Sequence, residues 1–233
     1  MNLKASVFRQ LYARREEYLS GEEIAKAARV SRAAVWKAVR ALRADGCEIV
    51  SSPHRGYRLI SSGDPLDDDR LCALFPFPVH HLKRVSSTNS FAKSLDGETR
   101  PLLVVADAQT DGRARYRRTF DSPEGAGLYM SYLFAPDGDF SVAQATSFAA
   151  GVVAEAVGGT AVGQEVFVGE KKQAGVLVES VFDIDGAQSA IVGIGIYTEG
   201  LKTSRLDLLI KIVSALHERY KNRTDAKKSL PAK

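Results

Sequence analysis

The 233 residues are 45% hydrophobic and 26% charged, the balance of a globular chain with one small and one medium domain rather than a disordered or fibrous one. No apolar run approaches the ~20 residues that cross a bilayer, and the opening Met1-Asn2-Leu3-Lys4-Ala5 lacks the apolar core and cleavage site of a secretory signal. Two cysteines, Cys47 and Cys72, stand outside any metal-ligand spacing, so a reduced, cytoplasmic protein with no disulfide and no metal site is expected, with no membrane as partner. The net charge of +4 is uneven: residues 1–62 hold twelve Lys and Arg against six Asp and Glu, and the remainder holds twenty against twenty-two. A polyanion partner is therefore expected for the first segment alone.

In chain order, residues 3–15 read as a first helix with Val7, Leu11 and Tyr18 on its apolar side. Ser20 opens a second helix that buries Ile24 and ends near Ala28, and Glu23 three residues on completes a capping box. Ser31 caps a third helix from Arg32 to about Ala44, whose Val35, Val39 and Leu42 share one face, and Gly46 stops it. Residues 48–51 and 56–60 form two strands around Ser52-Pro53-His54-Arg55. Three helices and a hairpin make a winged helix-turn-helix. A turn cluster at Ser61-Ser62-Gly63-Asp64-Pro65 marks a boundary, giving a DNA-binding domain over 1–62, a second domain over 63–220 and a polar, frayed tail over 221–233.

A short helix, a tight turn and a third helix are the geometry that lays the third helix in a major groove. Its face opposite the apolar stripe carries Arg32, Lys37, Arg40 and Arg43, placed to neutralise phosphates. The expected DNA contacts are Ser31, Arg32, Ala33, Trp36, Lys37 and Arg40, with Arg55 at the hairpin tip. A solvated helix face with the same charges is the competing reading. His80-His81 reads as a turn, and Gly193-Ile194-Gly195 is too short for a nucleotide fingerprint.

Leu19 to Ala25, Val30 to Lys37 and Gly56-Tyr57-Arg58-Leu59 resemble the DNA-binding domain of the bifunctional biotin protein ligase/biotin operon repressor family. The resemblance continues in Ser86-Ser87-Thr88-Asn89, in Gln109 through Arg118 where the family has a Gly-Arg-Gly-Arg-Arg-Gly-Arg loop, in Ser122 to Ser131, in Lys172-Gln173-Ala174-Gly175-Val176-Leu177-Val178-Glu179 and in Ile191 to Ile196. It implies an α+β protein: a winged helix-turn-helix, then a biotin/lipoate ligase-like (class II synthetase-like) mixed sheet with helices. It also implies ligand contacts at Ser87, Thr88, Asn89, Gln109, Gly112, Arg113, Arg115, Arg118 and Gly175, with biotin or biotinyl-AMP as the candidate ligand and no cofactor assigned with certainty.

Where the chain departs from the resemblance, ligase chemistry is expected to suffer. The loop has lost two glycines, to Ala114 and Arg117, and a non-glycine forced to positive φ costs about 1 kcal/mol or more. The family's Lys-Trp-Pro-Asn-Asp segment has no counterpart, because the one tryptophan is Trp36. Gly158 to Phe167 reads instead as a shorter, glycine-rich connection, and no lysine lies between Lys93 and Lys171. Lys171 and Lys172 read as a solvated pair beside a strand, and Tyr197 replaces the family's usual asparagine. The family's C-terminal β-barrel is expected to be absent. The catalytic residues are left unassigned. Three functions stay open: a repressor on a double-stranded DNA operator, homodimeric through a degenerate ligase domain that senses biotin or a related ligand; an active ATP-dependent biotin protein ligase acting on a carrier lysine; and a constitutive DNA-binding dimer with no ligand.

Overall fold

The structure, a computed structural model, describes residues 2–63, 66–95, 98–115, 118–136, 140–182 and 188–221. The expected tail, apart from Lys221, lies outside them, as do Asp64, Pro65, Tyr116 and Arg117. Two compact units form: Met1–Pro76 with Ser204–Asp207, and Phe77–Thr203 with the residues from Leu208 onward.

The first unit holds helices α1 (Leu3–Ala13), α2 (Gly21–Ala28) and α3 (Arg32–Ala44), strands β1 (Glu48–Ser52) and β2 (Gly56–Ser61), and helix α4 (Asp68–Leu74). Each of the first three helices begins where a side chain takes up a free backbone N–H: Asn2 accepts from Ala5, Ser20 from Glu23 and Ser31 from Ala34. Val7, Phe8, Leu11, Ile24, Val35, Val39 and Leu42 are 0–1% exposed and form the core between them. β1 and β2 pair antiparallel, and Leu19 adds a bridge to Tyr57 with two 2.8 Å hydrogen bonds. Gly56, at φ 103°, brings that bridge so close that a Cβ there would stand 2.1 Å from the Leu19 carbonyl.

Several expectations need correction in this unit. Tyr18 is not on α1, which ends at Ala13; its ring lies under the guanidinium groups of Arg55 and Arg58, at 4.3 and 5.0 Å. Glu23 does not close a capping box, because its carboxylate pairs with Arg14. The first compact unit also takes in residues up to Pro76, beyond the turn cluster at residues 61–65, because α4 is anchored backward through Arg70. That side chain is fully buried and donates to the carbonyls of Ser62 (3.0 Å) and Asp45 (3.1 Å). Its Nε lies 2.8 Å from Asp67 Oδ2, an ionic contact off the line of a hydrogen bond.

The second unit is built on a seven-stranded mixed sheet, in the order β3 (Val79–Leu82), β4 (Leu102–Ala106), β5 (Gly127–Phe134), β9 (Gln188–Tyr197), β8 (Lys171–Phe182), β7 (Glu165–Val168) and β6 (Thr160–Val162). Only β3 and β4 pair parallel. His80 and His81 therefore lie in a strand, not a turn, with their Nε2 atoms 2.8 Å from Glu98 and 3.1 Å from Asp107. Every residue of β4 and β5 is buried, as befits central strands covered on both faces. Alternation along β5 shows the two layers. Ser131 points to α5 (Thr88–Lys93), where it meets Thr88 and Asn89. Tyr132 and Phe134 point the other way, to His217 (3.0 Å) and Tyr220 (stacked at 4.1 Å) of α7 (Arg205–Lys221). α6 (Val142–Val157) packs on β6, β7 and β8. The segment 158–167, expected as a short, glycine-rich connection, is largely a β-hairpin, β6 and β7, turned at Gly163 with φ 61°.

Candidate functional site

Two surfaces carry functional chemistry. On the first unit, Ser31, Arg32, Ala33, Trp36, Lys37 and Arg40 are all exposed along one side of α3. Arg32, Trp36 and Arg40 recur at i, i+4 and i+8, so they share one stripe. The Arg40 guanidinium lies 4.8 Å from the Trp36 ring, and Trp36 is 48% exposed, unusual for so large an apolar group. Among the described residues neither Arg32 nor Lys37 forms an ion pair. The Ser31 hydroxyl caps the helix by accepting from Ala34 N at 3.2 Å, which leaves its own proton free to donate. Arg43 leaves the expected basic stripe: its guanidinium donates to the Ile49 carbonyl at 2.6 and 2.9 Å and to Ser51 Oγ at 2.7 Å, clamping β1 to α3. Arg55 sits at the β1–β2 tip, braced on Tyr18, beside His54 at φ 64°.

On the second unit a cleft of about 210 Å³ opens on the α5 face of the sheet. Ser87, Thr88, Asn89, Gln109, Arg113, Arg115, Arg118 and Gly175 all line it. Gly112 does not; a Cβ there would stand 2.2 Å from the Phe120 carbonyl, so this glycine serves the fold of the loop. The polar wall is a connected network. Thr88 donates from N and Oγ1 to Gln109 Oε1 at 2.8 and 3.1 Å, and Gln109 Nε2 donates to Ser122 Oγ at 2.9 Å. Ser131 donates to Asn89 Oδ1 at 2.6 Å, and Asn89 Nδ2 donates to Glu179 at 2.7 Å, where Lys93 also binds at 2.6 Å. With Thr88 and Asn89 at 4% and 3% exposure, these groups are held in place before any ligand arrives, which lowers the ordering cost of binding.

The floor is flat because it is glycine. A Cβ on Gly195 would stand 2.4 Å from the Phe120 ring, one on Gly175 3.2 Å from it, and one on Gly193 2.2 Å from Asn89 Oδ1. Phe120 in turn stacks on Tyr197 at 4.9 Å with ring planes 10° apart. Burial, with a smaller contribution from the Asp121 charge, raises the Tyr197 phenol above its ordinary range. The Gly193-Ile194-Gly195 run, set aside in the sequence, thus acts as a platform. The loop above it is ordered by its own backbone: Phe120 N donates to Gly112 O at 2.7 Å and Ala114 N to Arg118 O at 2.8 Å. The expected strain at Ala114 is not found, since Arg29 and His54 are the non-glycine residues with positive φ among those described; Arg117 lies outside them.

Lys172 is the main correction. It lines the cleft, with its Nζ 2.5 Å from Glu165 Oε1, while Lys171 faces solvent and binds Glu199 at 2.8 Å. The reason is a bulge. Val166 pairs with Ala174 but Phe167 with Lys172, leaving Gln173 as an extra residue on β8. Strict alternation would send Lys172 and Gly175 to opposite faces; one inserted residue returns them to the same face. The extra residue is held by Gln173 Nε2 donating to the Tyr197 carbonyl.

A DNA-reading helix on one unit and a preorganised, cation-rimmed cleft on a mixed sheet define a helix-turn-helix protein that carries a ligase-type domain. Residues 4–58 match the HTH domain family and residues 81–196 the biotin/lipoate A/B protein ligase family. The chain is 33% identical over 217 residues to the bifunctional ligase/repressor BirA of Bacillus subtilis, spanning 87% of this chain and 67% of that one. It is 32% identical over 190 residues to the protein of that name from Salmonella typhimurium, spanning 77% and 59%. The biotin protein ligase from Aquifex aeolicus in complex with biotin and ATP superposes with a TM-score of 0.50 at 29% identity, over 63% of this chain and 71% of that one. The chain belongs to the bifunctional ligase/repressor BirA family. Among the described residues no helix is long and apolar enough to cross a membrane.

Proposed function

We propose that the chain is a DNA-binding transcriptional repressor whose ligase-type domain binds biotin or a related small carboxylate and no longer ligates it. The carrying observation is the exposed face of α3, where Arg32 and Lys37 stand without ion-pair partners among the described residues and Trp36 is half exposed. Exposed cations on a capped helix, with a braced arginine at the hairpin tip, suit phosphate neutralisation flanking base contacts at the helix start. The cleft supports the ligand: a flat glycine platform suits a ring, fixed hydroxyl and amide groups suit its polar edge, and Arg113, Arg115, Arg118 and Lys172 suit an acid group. Loss of ligation is supported by the cleft holding a single lysine among the described residues, already paired with Glu165. Adenylate formation needs cations aimed at the developing phosphoryl charge, and losing one such donor typically costs ~10²–10³ in rate. Dimerisation is supported by β8, which runs on to Phe182 past Gly175, the last of its residues paired with β7; a strand edge without a neighbouring strand is a template for pairing with a second copy.

Lys172 facing the cleft favours a second reading, an active biotin protein ligase. The two are separated by incubating the full chain with biotin, ATP and a biotin carrier domain and weighing the carrier. Unchanged mass, with duplex DNA retained on the protein at low ionic strength, is the expected result. A biotin increment at repeated turnover establishes the ligase, and failure to retain DNA removes the repressor.

A further inference from the structure

The following rests on the cleft being the seat of a carboxylate ligand. In the cleft Lys172 forms a close ion pair, its Nζ 2.5 Å from Glu165 Oε1 and both side chains about a third exposed at 37% and 35%. Glu165 is held there by backbone. It lies directly across from Gly175 in the β7–β8 ladder, and the preceding Gln164 accepts from Val176 N at 2.8 Å through its carbonyl. The same Gln164 accepts from Arg115 of the arginine loop at 3.5 Å through its side chain. Glu165 and Lys172 thus face each other on the platform side of the sheet, brought there by the bulge at Gln173.

An incoming acid group that seeks Lys172 meets a resident carboxylate already on it. Two carboxylates within a few ångström repel, and either one satisfies the ammonium. A neutral amide meets no such opponent. We propose that Glu165 is a specificity-determining residue: it competes with the acid group of the ligand for Lys172 and so flattens the cleft's preference for an acid over the corresponding amide. Replacing Glu165 by an uncharged isostere releases Lys172 and sharpens that preference.

Calorimetry on the full-length chain tests this, with biotin as the acid and biotinamide as its neutral counterpart. Glu165→Gln is expected to bind biotin about fivefold more tightly than the unaltered chain, the scale of one partly exposed ion pair, with biotinamide affinity unchanged. Lys172→Gln is expected to bind biotin more weakly than the unaltered chain, with biotinamide affinity unchanged. Glu165→Ser, checked like the others by circular dichroism, guards against a folding defect peculiar to the glutamine and is expected to act in the same direction. If the unaltered chain binds biotin but both Glu165 variants bind it equally or more weakly, Glu165 merely positions Lys172 and the competition is refuted. If neither ligand binds any of the folded proteins, the carboxylate reading of the cleft fails instead.

Discussion

Gly193→Ala probes the junction between the platform and the polar wall. The added Cβ would stand 2.2 Å from Asn89 Oδ1 and 2.8 Å from its Cγ, and Asn89 is only 3% exposed. The side chain cannot yield cheaply, because Ser131 holds its Oδ1 and Glu179 its Nδ2. Overpacking of this kind costs about 1–3 kcal/mol, and a buried group stripped of its partner about 1–3 kcal/mol more. A central figure of about 3 kcal/mol lowers the melting temperature of a domain this size by about 6–12 °C. Scanning calorimetry is the suitable assay, since the one tryptophan, Trp36, lies in the other unit and reports on that unit's environment. Adding Asn89→Ala to Gly193→Ala removes the obstacle, so the double variant is expected to lose less than the two single losses combined. A melting temperature for Gly193→Ala within about 1 °C of the unaltered chain, against that expectation, would refute the packing argument.

Arg32→Ala is expected to weaken specific DNA binding more than non-specific binding, whereas Lys37→Ala lowers both and reduces the salt slope by about one; anisotropy across a salt series checks it. Arg43→Ala is expected to leave the salt slope unchanged and to destabilise the first unit by about 1–2 kcal/mol in urea, since its guanidinium is spent on Ile49 and Ser51. Arg70→Leu is expected to cost about 3 kcal/mol in the same assay, because Asp67, Asp45 and the Ser62 carbonyl lose their fully buried partner.

What could be read in the sequence follows the range of the interactions. Ser20 and Ser31 were legible as caps because their acceptor and donor lie three residues apart, and the apolar stripe of α3 because it is periodic. Arg43 was not, since a clamped arginine and a DNA-facing one share the same helical spacing and differ only through the Ile49 carbonyl on β1. The polar wall at Ser87, Thr88, Asn89 and Gln109 was legible through family resemblance, but its fourth side was not. Glu165 and Lys172 reach the cleft through a bulge that breaks strand parity at Gln173, and no local pattern announces a bulge. Gly193 and Gly195 looked like a weak motif because what they accommodate, Asn89 and Phe120, lies distant along the chain.

The most direct test is a binding curve for the full-length chain on a duplex obtained by in vitro selection with that chain, measured with and without saturating biotin. Ligand coupling between the cleft and the DNA-reading helix predicts a midpoint lower by about fivefold or more with biotin, within the usual range of such couplings. Superimposable curves would contradict a ligand-controlled repressor.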